Sequence, residues 1–188
     1  MRAFAHDVFT YPLRPGHRFP LGKYRLVREG ADASPAIQVA DARAASESEL
    51  ALAHERAYLG RVSTIGLSRR EELALGLPWS PELVERARRS VGATLLAADA
   101  ALADGIGANL GGGTHHAFSG SARGFCVFND VVVAVRALRR GGRVARVLVA
   151  DLDVHQGDGT HAAFAEDPDS FTFGVNGFAN YPFRRVPG

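Results

Sequence analysis

The sequence predicts an α/β fold: three layers, with a mostly parallel sheet covered by helices on both faces. Three observations lead there. Short apolar stretches of strand length alternate with segments of helical period along the 188 residues. Helix start and stop signals fall between them, as expected for separate elements. The run "RVARVLVA" is almost continuously apolar, which suits a strand buried on both faces of a parallel sheet. The length suits one domain with a sizeable core.

In order, "RAFAHDVF" (2–9) and "AIQVADA" (36–42) read as strands. A Pro/Gly-rich loop and a helix around "GKYRLVRE" (22–29) separate them. Ser46 with Glu49, and Ser68 with Glu71, form two capping boxes that each open a short helix. Ser80-Pro81 starts the longest helical pattern, which runs to Asp104 and closes at Gly105. Its apolar positions Leu83, Val84, Ala87, Val91, Thr94, Leu95 and Ala98 keep helical spacing, so one face packs on a sheet. Then come a strand "GIGANL" (105–110), a helix "NDVVVAVRALRR" (129–140) ended by Gly141-Gly142, the strand "RVARVLVA" (143–150) and a strand "SFTFGVN" (170–176). No internal repeat or linker interrupts the series.

Composition excludes several functions. The chain has 22 basic and 20 acidic residues, a net charge of +2. Its pI of about 9.0 reflects arginine replacing lysine, Lys23 being the one lysine. No basic block interleaves with aromatics, so no nucleic-acid partner is expected. Cys126 is the single cysteine, so neither a disulfide framework nor a Cys-rich zinc site is available. The first residues lack the apolar run of a signal peptide and no segment has the length of a membrane span, so a cytoplasmic, membrane-free protein is expected.

Ligands of open α/β sheets gather at the carboxyl ends of parallel strands. Here "GIGANL" runs into "GGGTHHAFSG", and "RVARVLVA" runs into "DLDVHQGDG". If the two strands are neighbours, both polar clusters share one rim. Asp151, Asp153 and His155 stand at i, i+2 and i+4, which in extended backbone puts them on one face. Carboxylate and imidazole together suit a divalent metal, most simply zinc. The plainer alternative is a turn with an aspartate cap. Gly157 and Gly159 permit tight turns that fold Asp158 back to the rim; on its own, Asp158 reads as the first residue of a helix containing "GTHAAF", on which His161 is structural or exposed. His115 and His116 both reach a cleft only from a glycine-rich turn. Asp151 and Asp158 are available to orient them and raise their basicity. Such imidazoles can take a proton from an attacking water and give one to a leaving group. Otherwise the three glycines are a loop and the His pair a surface accident. Phe125 either plugs core or walls an apolar tunnel, and Cys126 packs.

The motifs "LGGGTHHAFSG", "RGFCVFNDV" and "DLDVHQGDGTHAAF", in this order, resemble the histone deacetylase superfamily, whose fold is arginase-like. Upstream, "PGHRFPLGKYRLVRE" and "LPWSPELVERARRSVGATLLAA" look like its bacterial members, so the resemblance covers essentially the whole chain. Gln156 after His155 is the variant of the class IV branch and its bacterial relatives. The resemblance implies Zn2+ held by Asp153 and His155. It implies a catalytic pair His115 and His116 held by Asp151 and Asp158, with His116 the main general base and acid. Gly124, Phe125 and Tyr181 would line an acyl-lysine channel. K+ would lie near the carbonyls of Asp151, Asp153 and His155. The substrate would be an acylated lysine in a peptide or protein, or an acetylated small amine.

Departures from the pattern sharpen the expectation. The family's third zinc ligand, an aspartate, and its transition-state tyrosine fall beyond Gly188, so residues 1–188 read as the N-terminal portion of one deacetylase-like domain, incomplete at its C-terminus. Asp167 and Asp169 sit beyond the short helix and are poor substitutes. Gly174 and Asn176 stand where the family has Ser and His, which removes the side-chain ligand of the potassium site. Rival readings are an inactive fragment, an acyl-lysine binding module, and an arginase-like two-metal ureohydrolase. An uncovered sheet would favour self-association.

Overall fold

The structure, a computed structural model, describes residues 1–187. Its strands form two parallel sheets. In one, β1 (Arg2–Ala5) lies between β2 (Gln38–Asp41) and β3 (Gly107–Asn109); in the other, β4 (Val147–Asp151) pairs with β5 (Ser170–Gly174). Parallel pairs need crossover connections, and helices supply them. Helix α1 (Gly22–Asp32) links β1 to β2, and α6 (Asp130–Arg140) links β3 to β4. Helix α7 (Asp158–Phe164) links β4 to β5. Between β2 and β3 lie α2 (Glu47–Leu50), α3 (Arg56–Gly60), a π-helical turn Arg61–Ile65, α4 (Arg69–Leu75) and α5 (Pro81–Asp104). This is an αβα arrangement of the arginase and deacetylase type, the α/β class read from the sequence.

Helix α5 organises the core. The Ser80 hydroxyl accepts from Leu83 N–H, Pro81 fills the first turn, and Gly105 ends the helix in left-handed backbone. At 1.5 Å per residue it is about 36 Å long, enough to run along β1 and β3 and to pack against α6. Leu83, Ala87, Val91 and Leu95 form its buried face, meeting Tyr58, Leu75, Phe128 and Val132. At Gly92 a β-carbon would lie 1.9 Å from the Arg43 carbonyl, so only glycine lets the segment after β2 pass this close. Both capping boxes are present, at Ser46–Glu49 and Ser68–Glu71.

Three expectations change. The first strand stops at Ala5 because His6 Nδ1 accepts from Val8 N–H and folds Asp7–Thr10 into a 3-10 turn; a local side-chain bond has outcompeted the ladder. β3 and β4 belong to different sheets and share no ladder, so the two polar loops do not follow neighbouring strands. Finally, β4 is not buried on both faces. Val147 and Val149 pack on the core, but Leu148 and its partner Phe171 are 65% and 66% exposed, with Ala150 and Phe173 continuing the same outer face. Among the described residues, no helix is long and apolar enough to cross a membrane.

A contiguous apolar sheet face of this kind recruits other chains. The 188-residue chain is therefore expected to elute on size-exclusion chromatography well above its 20.0 kDa monomer mass. Phe171→Asp with Phe173→Asp is expected to return it towards the monomer, and a monodisperse unmutated monomer would refute the role of this face.

Candidate active site

The loop after β3 is held by a buried carboxylate. Asp130, at the start of α6, is 1% exposed. Its Oδ2 accepts from the Thr94 hydroxyl at 2.6 Å and Gly113 N–H at 3.0 Å, and its Oδ1 from Thr114 N–H at 2.8 Å. The Thr94 hydroxyl in turn accepts from Asn109 Nδ2 at 2.7 Å, while Asn109 Oδ1 accepts from Gly111 N–H. The end of β3, the three glycines and two helices are thereby fixed together, and the chain emerges as His115-His116.

Both histidines are buried, each with its own carboxylate. His115 Nδ1 donates to Asp151 Oδ2 at 2.6 Å, and His116 Nδ1 donates to Asp158 Oδ1 at 2.7 Å. Their rings lie 4.2 Å apart. Although β3 and β4 are unpaired, Asp151 at the end of β4 and His115 beyond β3 thus meet on one rim. Burial opposes protonation of His115, but the hydrogen bond and charge of Asp151, with Asp153 and Asp158 behind it, raise its pKa above the ordinary value. Burial would raise the pKa of Asp151, yet His115 and Asp153 N–H hold it below the usual range. Asp158 also accepts from Gly159 N–H and faces Arg123. Two glycines make this packing possible. A β-carbon at Gly157 would lie 2.4 Å from Asp151 Oδ2, and one at Gly124 would lie 2.5 Å from the His116 ring, in addition to its φ of 56°.

Asp153 and His155 stand beside the pair, half exposed. Asp153 Oδ1 accepts from His155 Nδ1 at 2.9 Å. Two donor atoms on one tetrahedral zinc are about 3.3 Å apart, so a carboxylate oxygen and an imidazole nitrogen this close fit that ion with a small opening. Among the described residues no group of three or more His, Cys, Asp or Glu could hold a metal; the described residues offer this donor pair. Gly174 offers no hydroxyl to a cation; the atoms nearest a β-carbon built there are Asn176 Nδ2 at 3.3 Å, His161 Nε2 at 3.5 Å and the Asp151 carbonyl oxygen at 3.7 Å.

Tyr181 closes one side, its ring edge-on to His116 at 4.9 Å and 6.2 Å from His155. Gln156 brings that segment back: its amide donates to Val186 O and accepts from Val186 N–H. Phe125, at φ 66°, stacks on Phe19 at 4.5 Å with Arg18 over its ring. Cys126 is buried, its thiol pushed up to about 12 by burial. Asp167 and Asp169 lie away from the rim, paired with Arg139.

Sequence reading missed His54. Its ring is buried between the Phe118 carbonyl, to which Nδ1 donates at 3.1 Å, and Asn129 N–H, from which Nε2 accepts at 3.0 Å. Only the neutral ring can do both. Asn129 caps α6 through Val132 N–H and donates to the Ala117 carbonyl, so this chain of bonds supports the backbone just after His116. The signal was an Asn before an apolar helix; nothing marked His54 in sequence. His161 is buried rather than exposed and pairs through Nδ1 with the Thr172 hydroxyl at 3.0 Å.

Comparison with known proteins gives a consistent picture. The histone deacetylase domain matches residues 17–187. The chain is 39% identical over 184 residues to an uncharacterized protein of Picosynechococcus, covering 96% of this chain and 61% of that protein. It is 38% identical over 151 residues to the acetoin utilization protein AcuC of Bacillus subtilis, covering 75% and 39%. It is 33% identical over 156 residues to the polyamine deacetylase HDAC10 of Homo sapiens, covering 77% and 23%. The chain thus spans less than two thirds of the length of each.

Two tests follow from the geometry. Gly157→Ala is expected to break the His115–Asp151 bond, seen as loss of the low-field His115 Nδ1 proton in NMR spectra while that of His116 persists. Retention of both would refute the close packing. For His54, burial pushes the pKa down to about 4 from 6.5. The unfolded chain therefore binds the extra proton first, and stability present above pH 6.5 is lost as pH falls towards 4, by roughly 3 kcal/mol. Urea denaturation should show this slope flattened in His54→Gln, which offers a donor and an acceptor without titrating. An unchanged slope would refute it.

Proposed function

The chain belongs to the histone deacetylase family, and on that premise we propose that the protein is a zinc-dependent deacylase that hydrolyses an N-acyl amine, either acyl-lysine in a peptide or an acetylated small amine. The observation that supports this best is the pair of buried histidines, each bound through Nδ1 to its own carboxylate, next to Asp153 and His155. With Nδ1 engaged, the Nε2 atom of each ring is the one left to exchange protons. His116 would be the principal general base and acid, since Asp158 fixes its tautomer and is itself sealed from water. His115, with its pKa raised by Asp151, would hold the compensating charge as the amide bond breaks. Asp153 and His155 would supply two of the zinc ligands. Zinc, when bound, polarises the acyl carbonyl and activates the attacking water.

Gly124 and Phe125 would form one wall for the acylated chain and Tyr181 the other. Phe125 suits the task because the stack on Phe19 steadies its ring, and an aromatic wall accepts an aliphatic amine stem without asking for hydrogen bonds. The polyamine specificity in the name of the human relative makes acetylated polyamines natural probes, beside acetyl-lysine peptides.

The zinc-loaded protein is expected to release acetate from one of these two substrate classes. His116→Ala should lower kcat by about 10²–10⁴-fold, the usual range for a general base, while zinc measured by atomic absorption stays unchanged. A variant that keeps turnover would remove His116 from the chemistry. A zinc-loaded protein that hydrolyses neither class would overturn the reading as a deacylase.

A further inference from the structure

The two carboxylates behind the paired histidines are bound differently. Asp151 uses one oxygen for each neighbour: Oδ2 accepts from His115 Nδ1 at 2.6 Å and Oδ1 from Asp153 N–H at 3.0 Å. Asp158 puts two bonds on one oxygen, Oδ1, which accepts from His116 Nδ1 at 2.7 Å and from Gly159 N–H at 3.1 Å. Its Oδ2 has one partner among the described residues, Arg123 Nη1 at 3.4 Å. No arginine or lysine among the described residues pairs with Asp151. The Asp158 side chain is 1% exposed and that of Arg123 is 42% exposed, so the guanidinium reaches a buried carboxylate from the solvent side.

The local chain aims Arg123 there. Its N–H donates to the Cys126 carbonyl at 3.1 Å, and Cys126 N–H returns to the Arg123 carbonyl at 2.9 Å, which closes a tight turn. Gly124, inside that turn, lies against the His116 ring, where a β-carbon would come within 2.5 Å. The guanidinium itself lies 4.6 Å over the ring of Phe118, which attracts a cation to its face. One turn therefore meets both the His116 ring and the carboxylate that holds it.

We propose that Arg123 is a positioning residue for His116, acting through Asp158. A carboxylate bonded through one oxygen can turn about its Cβ–Cγ bond, and a partner on the other oxygen opposes that turn. At 3.4 Å the contact is long for a hydrogen bond. Its hold is that of a charge pair, which is stronger beside a buried group than in open water. Asp158 grips His116 at Nδ1, so the direction of Nε2 follows the plane of the carboxylate. The consequence for turnover rests on the hydrolytic reading; the coupling of Arg123 to the His116–Asp158 bond does not.

The test compares the full-length protein with Arg123→Ala and Arg123→Lys. In NMR spectra, the low-field His116 Nδ1 proton is expected to shift in Arg123→Ala while that of His115 stays in place. Added ethylguanidinium should return it, and Arg123→Lys, which keeps the charge, should displace it less. In acetate release by the zinc-loaded protein, Arg123→Ala is expected to lower kcat about 10–100-fold, the usual effect of losing a partner behind a working group. KM should stay unchanged, and ethylguanidinium should restore the rate without affecting the unmutated protein. A shifted His116 proton in a protein that releases no acetate would support the coupling and count against the hydrolytic reading alone. An unmoved His116 proton in Arg123→Ala, an equal shift of the His115 proton, or a loss of rate that ethylguanidinium does not reverse would each overturn the proposal.

Discussion

The site depends on one uncompensated charge. Asp130 is a fully buried aspartate, and among the described residues no basic side chain pairs with it. Burying a lone carboxylate costs several kcal/mol unless hydrogen bonds replace its hydration. Here the donors are the Thr94 and Thr114 hydroxyls, Gly113 N–H and Thr114 N–H. Two of the four are backbone groups of the glycine-rich loop, so the loop cannot relax without leaving a buried charge unsatisfied. That is why a segment of three successive glycines, which in isolation would be among the most mobile of the chain, delivers His115 and His116 to fixed positions. The same carboxylate sits at the first turn of α6, where the helix dipole also favours a negative charge.

How much of this the sequence disclosed follows from how local each cause is. Helix α5 was legible from Ser80-Pro81 to Gly105 because capping and period are read within one segment. Both capping boxes were legible for the same reason. The carboxylate–imidazole partners were legible as residue types at spacings, although the contacts themselves join elements 36 and 42 residues apart. The length of β1 was not legible, since a single side-chain bond from His6 ended it. Nor was the exposed face of β4. An apolar run states that a strand prefers burial on both faces, but whether a neighbour covers the second face is not a property of the run. His54, Asp130 and Arg86 were missed outright. Each is a polar residue whose burial is met by partners brought from afar: a carbonyl and an N–H, four donors, and, for Arg86, the rings of Phe19 and Tyr24.

The two histidines share a residue type and a hydrogen-bonding pattern but not an anchor. His116 is tied to Asp158, which opens α7. That helix is fixed in turn by Thr160, whose N–H donates to the His115 carbonyl and whose hydroxyl accepts from Asn129. His116 therefore moves only if the frame of α6 and α7 moves. His115 is tied to Asp151, whose other oxygen accepts from Asp153 N–H at 3.0 Å. Asp153 is one of the two donors suited to zinc, so any shift of that donor pair reaches His115 through a single shared carboxylate. His115 is thus coupled to Asp153 through a shared carboxylate, whereas His116 meets the same pair through its ring, which lies edge-on to His155 at 5.9 Å. The distribution of hydrogen bonds behind the two rings, rather than the rings themselves, is what makes the pair unequal.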